Sequence, residues 1–423
     1  MKIILRLYCV SFLFFFLFSC SSTPLPRSTS AKTPEDFFGM VGISQTVEQY
    51  QQLDEMGVKW ILRTFYWRNI EKTRNNIDFS DYDDFVDMAN MEGKKIIALL
   101  GYEAPWLYNS KKTKKYISQE NIPLFLNYVE ETVRHFKDRV DVWQIWNEPN
   151  FTFWKGPRKE FFELSRLTTL KIKEVDPDAF IIGGVFWRAP RAFIRDMYKA
   201  GAMDNLDGLA FHPYAVDPIG SMKIYDKFLD VLSEINYQGP VWITEMGYPT
   251  AGWYPTKVSL EEQPSYVVKT ITGAAGRGAR VLLWYEFADH YNEGEVPKKE
   301  TRNSENFFGL YYPNYQRKNG AFAYELCARF LPGSIYLSEL PLRENLPSGI
   351  VSFCFFNGTS GSNTMILWND KNRPQKVSLQ LPADALLHNI STGKSYPLYH
   401  ELEIGKQPLF ITWQGTDLPH FLK

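Results

Sequence analysis

An excess of charge of either sign is the first thing this chain lacks. Its 47 Lys and Arg stand against 48 Asp and Glu, a formal charge of −1. Such a balance builds no field to draw in nucleic acid or an anionic surface, and no sustained Lys/Arg stripe supplies a local one. No glycine-rich phosphate loop is present, so nucleotide chemistry loses its usual cradle. The six histidines, His135, His212, His290, His388, His400 and His420, stand at no metal-ligand spacing, and no paired cysteine motif has zinc spacing. No metal and no cofactor are therefore expected. A Gly-x-Ser-x-Gly elbow is also missing, which argues against an esterase triad. Cysteine is scarce, with four in 423 residues.

What the chain has in plenty is aromatic residues: 12 Trp, 24 Tyr and 31 Phe. Most must be core, but such a load also suits a cleft that stacks sugar rings. The length and the 44% hydrophobic content allow one large domain and a small one.

The N-terminus reads as a targeting segment. Lys2 and Arg6 precede an apolar run from Leu7 to Phe18, the layout of a secretory signal and too short for a comfortable membrane span. The run ends in Leu17-Phe18-Ser19-Cys20, which resembles the lipobox of bacterial lipoproteins. That resemblance implies removal of residues 1–19 and a lipid on Cys20. Residues 20–36, rich in Ser, Thr and Pro, read as a flexible tether. Ser21 after the cysteine leans toward the outer membrane, so a lipid-anchored, cell-envelope location is expected. Beyond Cys9 and Cys20 only Cys327 and Cys354 remain, as a bridge or as two buried thiols.

From about Phe37, short apolar runs alternate with amphipathic stretches. Strands are predicted at 39–43, 60–66, 95–102, 140–146, 180–186, 206–212, 241–245 and 281–287. Helices are predicted at 82–92, 122–136, 159–175, 191–200, 224–235 and 264–277, with a closing helix at 321–330. Near-continuous apolar strands between helices indicate a parallel sheet buried on both faces. Eight such units fit a (β/α)8 barrel over residues 37–332. Past Pro332-Gly333 the pattern changes to short strands at 350–356, 364–368, 375–381 and 408–413, separated by Asn-Gly, Asn-Asp and Thr-Gly turns. Residues 333–423 thus read as a small all-β sandwich, either a buttress for the barrel or a carbohydrate-binding module.

Two of the predicted strands end on a glutamate. Trp143-Gln144-Ile145-Trp146-Asn147-Glu148-Pro149 closes strand 4, and Val241-Trp242-Ile243-Thr244-Glu245-Met246-Gly247 closes strand 7. An ionised carboxylate after an apolar strand costs several kcal/mol unless it is paired or working. In this barrel type, strand C-termini carry the chemistry. There strand 2 offers Arg63, strand 6 His212-Pro213-Tyr214, and strand 8 Trp284-Tyr285-Glu286, with Asp289 just beyond.

These motifs together resemble the clan A retaining glycoside hydrolases. The stretch 67–87 (Ile70-Glu71, Ile77-Asp78-Phe79-Ser80, Tyr82-Asp83) is similar to families 5 and 39, and Gly101-Tyr102-Glu103-Ala104-Pro105-Trp106, without a histidine, favours a family 39-like enzyme. The resemblance covers residues 37–332 and implies cleavage of a β-linked oligo- or polysaccharide with net retention. Glu148 would be the general acid/base, protonated before attack, with Trp146 as an apolar wall. Glu245 would be the ionised nucleophile, its pKa held down by Arg63 and a Tyr214 hydrogen bond. Asn147 would meet the sugar 2-hydroxyl, Trp284 would floor the reacting subsite, and His212 would stand at the rim. A monomer without nucleic-acid partners is expected. A transglycosylase using the same residues and a catalytically silent sugar-binding lipoprotein are the competing readings.

Overall fold

The computed structural model describes residues 31–44, 46–108, 115–252, 257–291, 303–337, 347–371, 373–398, 401–415 and 420–421. The signal segment, Cys20, and the loop residues Lys298, Lys299 and Arg302 lie outside the described residues.

Eight parallel strands close a barrel in chain order: β1 (Phe38–Val41), β2 (Trp60–Tyr66), β3 (Lys95–Gly101), β4 (Val142–Ile145), β5 (Phe180–Trp187), β6 (Gly208–His212), β7 (Val241–Met246) and β8 (Val281–Trp284). Around them run α1 (Val47–Glu55), α2 (Trp67–Ile70), α3 (Ser80–Met91), α4 (Ile122–Phe136), α5 (Arg158–Val175), α6 (Arg191–Lys199), α7 (Pro218–Glu234), α8 (Gln263–Ala275) and α9 (Asn319–Phe330). The predicted strands all form. Helix α7 starts six residues before its apolar pattern does, because Asp217 caps it by accepting from the Gly220 amide and Pro218 fits the first turn.

Successive strand residues face opposite sides, so two cores arise from one sheet. Trp60, Ile97, Val142, Ile182, Ala210, Trp242, Val281 and Leu283 fill the barrel interior. Trp60 and Trp242 meet edge to face at 5.2 Å and plug it. Alternate residues such as Ile61, Phe65, Ala98, Trp143 and Leu282 join the larger core under the helices. With its interior filled, the barrel leaves room for a ligand only at a rim.

The C-terminal part is a six-stranded antiparallel sheet, order β14-β13-β16-β11-β10-β9, facing a three-stranded one, β15-β12-β17. Their ranges are β9 Ile335–Tyr336, β10 Ile350–Asn357, β11 Ser362–Asn369, β12 Gln375–Gln380, β13 Leu386–His388, β14 Ser395–Pro397, β15 Glu401–Ile404, β16 Leu409–Gln414 and β17 His420–Phe421. Val351, Phe353, Ile366, Trp368 and Phe410 belong to the same core as the barrel helices, while Cys354, Met365, Leu367 and Ile411 face the smaller sheet. One face of the larger sheet thus packs under the barrel helices and the other under the smaller sheet. Cys327 and Cys354 are free thiols in these two separate cores, and burial raises the pKa of each.

Residues 31–36 correct the expected tether. Lys32 bridges Ile335, the Thr33 amide donates to the Ser334 carbonyl at 2.8 Å, and Asp36 takes two hydrogen bonds from Arg280. The end of the predicted tether is therefore sewn to the bottom of the barrel and to the start of the β domain.

Candidate active site

Glu148 and Glu245 meet at the C-terminal mouth of the barrel. Strand β4 stops at Ile145, and Trp146 (φ 61°) and Glu148 (φ 39°) adopt left-handed backbone conformations. Non-glycine residues hold such conformations at a cost of order 1–3 kcal/mol each, and only where the surroundings enforce them. Here the Glu148 amide donates to the carbonyl of Val185, itself at φ 38°. Strand β7 loses its regular register between Ile243 and Met246, so Thr244 and Glu245 both reach the mouth. Gly247 is required next, because a Cβ there would lie 1.7 Å from the Tyr285 carbonyl oxygen.

His212, on the inward face of β6, joins the two acids. Its Nδ1 lies 2.7 Å from Glu148 Oε1 and 3.9 Å from Glu245 Oε2, and its Nε2 lies 3.1 Å from Thr244 Oγ1. One donor atom from each of Glu148, His212 and Glu245 lies within 4.8 Å of the others. That spacing would also suit a divalent ion. Both histidine nitrogens are already engaged, however, which favours a hydrogen-bonded bridge over a ligand set.

Tyr214 donates to Glu245 Oε1 at 2.7 Å. Burial, then the Glu245 charge, pushes the Tyr214 pKa well up, so the phenol stays a donor. Glu245 does not behave as a depressed carboxylate. Burial raises its pKa to about 7; His212 opposes this, Glu148 adds to it, and the Tyr214 hydrogen bond opposes it. His212 pays for burial with a lowered tendency to charge, which the two glutamates more than offset, leaving its pKa raised.

Three expectations need correcting, all for one reason. Arg63 does not reach Glu245. It alternates with the inward-facing Leu62, so its guanidinium packs outward, 4.8 Å from the Phe85 ring centre and 5.4 Å from that of Tyr82 on α3. Trp284 is not a subsite floor. It is fully buried and belongs with Leu282 to the core under the helices, whereas Val281 and Leu283 face inward. The strand-8 ring at the mouth is Tyr285, half-buried, its hydroxyl 3.4 Å from Glu305 Oε2 and its pKa raised by burial, then by Glu286 and Glu245. Trp146 does not wall Glu148: the left-handed turn sends its ring against Tyr102, Phe125 and Trp154. One residue of offset moves a side chain to the other face of a strand, and apolar sequence on both faces hides which is which.

Asn147 stays at the strand-4 end beside Glu148, nearly buried. The sequence reading missed Thr244, Tyr102, Tyr285 and Glu305. Tyr102 follows β3 and feels the charges of both Glu148 and Glu245, and Glu305 feels Glu148 from the loop after β8. Only the inward parity of Thr244 and Tyr285 could have flagged them. Asp289 is structural: it accepts from the buried Lys318 at 2.6 Å and from the Gly309 amide. Glu286 is buried against His290 at 2.8 Å.

A closed parallel barrel with a trailing antiparallel β domain is an architecture shared with solved glycoside hydrolase structures. The chain is similar in fold to a family 39 glycoside hydrolase from the gut symbiont Bacteroides cellulosilyticus WH2, with TM-score 0.74, 19% identity and coverage of 90% of this chain and 81% of that one. A GH39 beta-xylosidase from Caulobacter crescentus follows, with TM-score 0.65, 16% identity and coverage of 92% and 98%. At these identities the likeness is one of fold. In sequence the chain is 26% identical over 208 residues to endo-1,4-beta-xylanase B of Thermotoga neapolitana, spanning 44% of this chain and 57% of that protein's length. No protein-family model matches.

Proposed function

We propose that this protein is a retaining β-glycoside hydrolase acting on an oligo- or polysaccharide. The observation that carries this is the close approach of Glu148 and Glu245, with oxygens within 4.8 Å. Carboxyl groups about 5–5.5 Å apart suit retention, whereas inversion needs about 6.5–9.5 Å to admit a water. The xylanase and beta-xylosidase likenesses support a β-glycan as substrate.

Glu245 attacks the anomeric carbon as its bond to the leaving oxygen breaks, and Glu148 gives its proton to that oxygen. A water then attacks the glycosyl–Glu245 ester, losing its proton to Glu148 as the ester bond breaks. Tyr214 orients Glu245, and His212 bridges the two acids. By the time water attacks, Glu148 has given its proton to the leaving oxygen, so it stands as the carboxylate that takes the water's proton, the switch from acid to base that retention requires.

The test is product release from a panel of β-linked polysaccharides and aryl β-glycosides, with the anomer of the first product read by NMR. Retained β-anomer, lost in Glu245→Gln, is the expected result. First-formed α-anomer would overturn the retaining reading. Lengthened products would indicate the transglycosylase instead, and binding without turnover the silent receptor. Chelation is expected to leave the rate unchanged.

We also propose attachment to the bacterial cell envelope, on the outer membrane, through a lipid on Cys20. The lipobox-like sequence supports it. Incorporation of labelled palmitate that Cys20→Ala abolishes is the expected outcome; labelling that survives the substitution would remove the proposal.

A further inference from the structure

Beyond Glu148 the mouth carries a built surface with no part in bond cleavage. One turn past the glutamate, the Phe151 amide donates to the Glu148 carbonyl at 3.0 Å, and the Phe151 ring remains 45% exposed. It stacks on Trp187 at 4.2 Å between ring centres and 13° between planes. Asn150 locks the pair in place: its amide nitrogen donates to the Trp187 carbonyl and its oxygen accepts from the Trp187 amide, both at 2.9 Å. The two rings thus form a rigid platform held between the ends of β4 and β5.

Arg188 borders that platform. Its backbone is left-handed (φ 62°), its amide donates to the His212 carbonyl at 2.9 Å, and its guanidinium carbon sits 5.3 Å from the Trp187 ring centre. Among the described residues its buried Nε has no hydrogen-bond partner and no carboxylate forms a salt bridge with its guanidinium. A buried donor without an acceptor costs about 1–3 kcal/mol, and a guanidinium fork matches a planar anion. The general acid protonates the leaving group, so the surface just past Glu148 is where the leaving sugar lies. Stacking rings hold a sugar without reading charge; the arginine reads charge.

We infer that the leaving-group side of the cleft takes an anionic sugar, stacked on Phe151 and Trp187 and clamped through a carboxylate or sulfate by Arg188. This rests on the retaining-hydrolase reading for its polarity along the substrate. The rim nearby repeats the pattern, with Lys115 over Phe153 at 5.5 Å.

The experiment uses the full-length protein and β-linked oligosaccharides identical except at the sugar on the reducing side of the cleaved bond: neutral, uronyl or sulfated. Wild type is expected to favour at least one anionic substrate by about tenfold to a hundredfold in kcat/KM, the worth of a charge-assisted hydrogen bond. Added salt should shrink that preference. Arg188→Gln should bring the anionic-to-neutral ratio close to one, and Arg188→Lys should keep part of it. Phe151→Ala, at an exposed position that the fold does not need, should weaken neutral and anionic substrates alike. Equal wild-type rates on all three, or an Arg188→Gln loss shared by all three, overturns the inference while leaving the hydrolase reading intact. If nothing is cleaved, the hydrolase reading falls. Calorimetry with the same oligosaccharides then decides the subsite: tighter anionic binding that Arg188→Gln abolishes supports it, and equal binding removes it.

Discussion

Asp226 and Glu148 are both buried carboxylates, and their surroundings could hardly differ more. Asp226, on α7, faces Arg277 just past the C-terminus of α8, which donates through Nε at 2.9 Å and Nη2 at 3.1 Å while its Nη1 donates to the Gly273 carbonyl. Each charge has an opposite partner in fork geometry, the arrangement of an ion pair that holds two helices together. Glu148 and Glu245 instead share a single histidine between two acids. The mouth thus holds more negative charge than it neutralises, and burial lifts the Glu245 pKa as a result. Buried charge that is fully answered is structure; buried charge left under-answered is where chemistry can be done.

Glu245→Gln gives the largest expected contrast. Activity should fall on the order of 10^4-fold or more, as for loss of a nucleophile. Stability should move the other way. A carboxylate raised from an ordinary 4.5 to about 7 binds a proton in the folded state that the unfolded chain has released, so its contribution to stability declines as pH rises through that window. Urea denaturation should therefore show the variant gaining on wild type between those pH values and keeping the gain above them. A variant that is less stable at pH 8 would break the comparison.

Arg277→Met inverts the pattern. It strands Asp226 and should cost about 3–5 kcal/mol in urea denaturation, with kcat little changed. Adding Asp226→Leu should recover most of the loss, because the stranded charge goes with it.

The strand-8 neighbours sharpen the division within a single dipeptide. Trp284→Ala should cost about 3–5 kcal/mol of stability as a core cavity. Tyr285→Ala should instead lower kcat/KM while denaturation stays close to wild type. The smallest effect is expected at Arg63: Arg63→Met should leave kcat/KM within about twofold, the scale of a substitution away from the site. A large loss of activity there would reopen the idea that it steadies Glu245.

These contrasts mark what could be read from the chain alone. The eight strands and the two glutamates were legible because an acid closing an apolar run is anomalous wherever it falls. Which way a side chain points was not. In β2 and β8 both faces are apolar, so Arg63 and Leu62, or Trp284 and Tyr285, look interchangeable until the register is known. The bulge in β7 and the left-handed turn after β4 shift that register at the two places that carry Glu245 and Glu148. His212 was placed at the rim but not as the link between the acids, because the elements that carry the three residues meet only when the barrel closes.

The seam at residues 31–36 fixes a direction as well as a boundary. Lys32 and Thr33 are sewn to Ile335 and Ser334 at the end of the barrel opposite the mouth. Any tether that precedes them departs from that end. A lipid on Cys20, as proposed above, would then be joined to the protein at the end opposite the cleft, so the attachment point itself would leave the mouth unobstructed for long polymers.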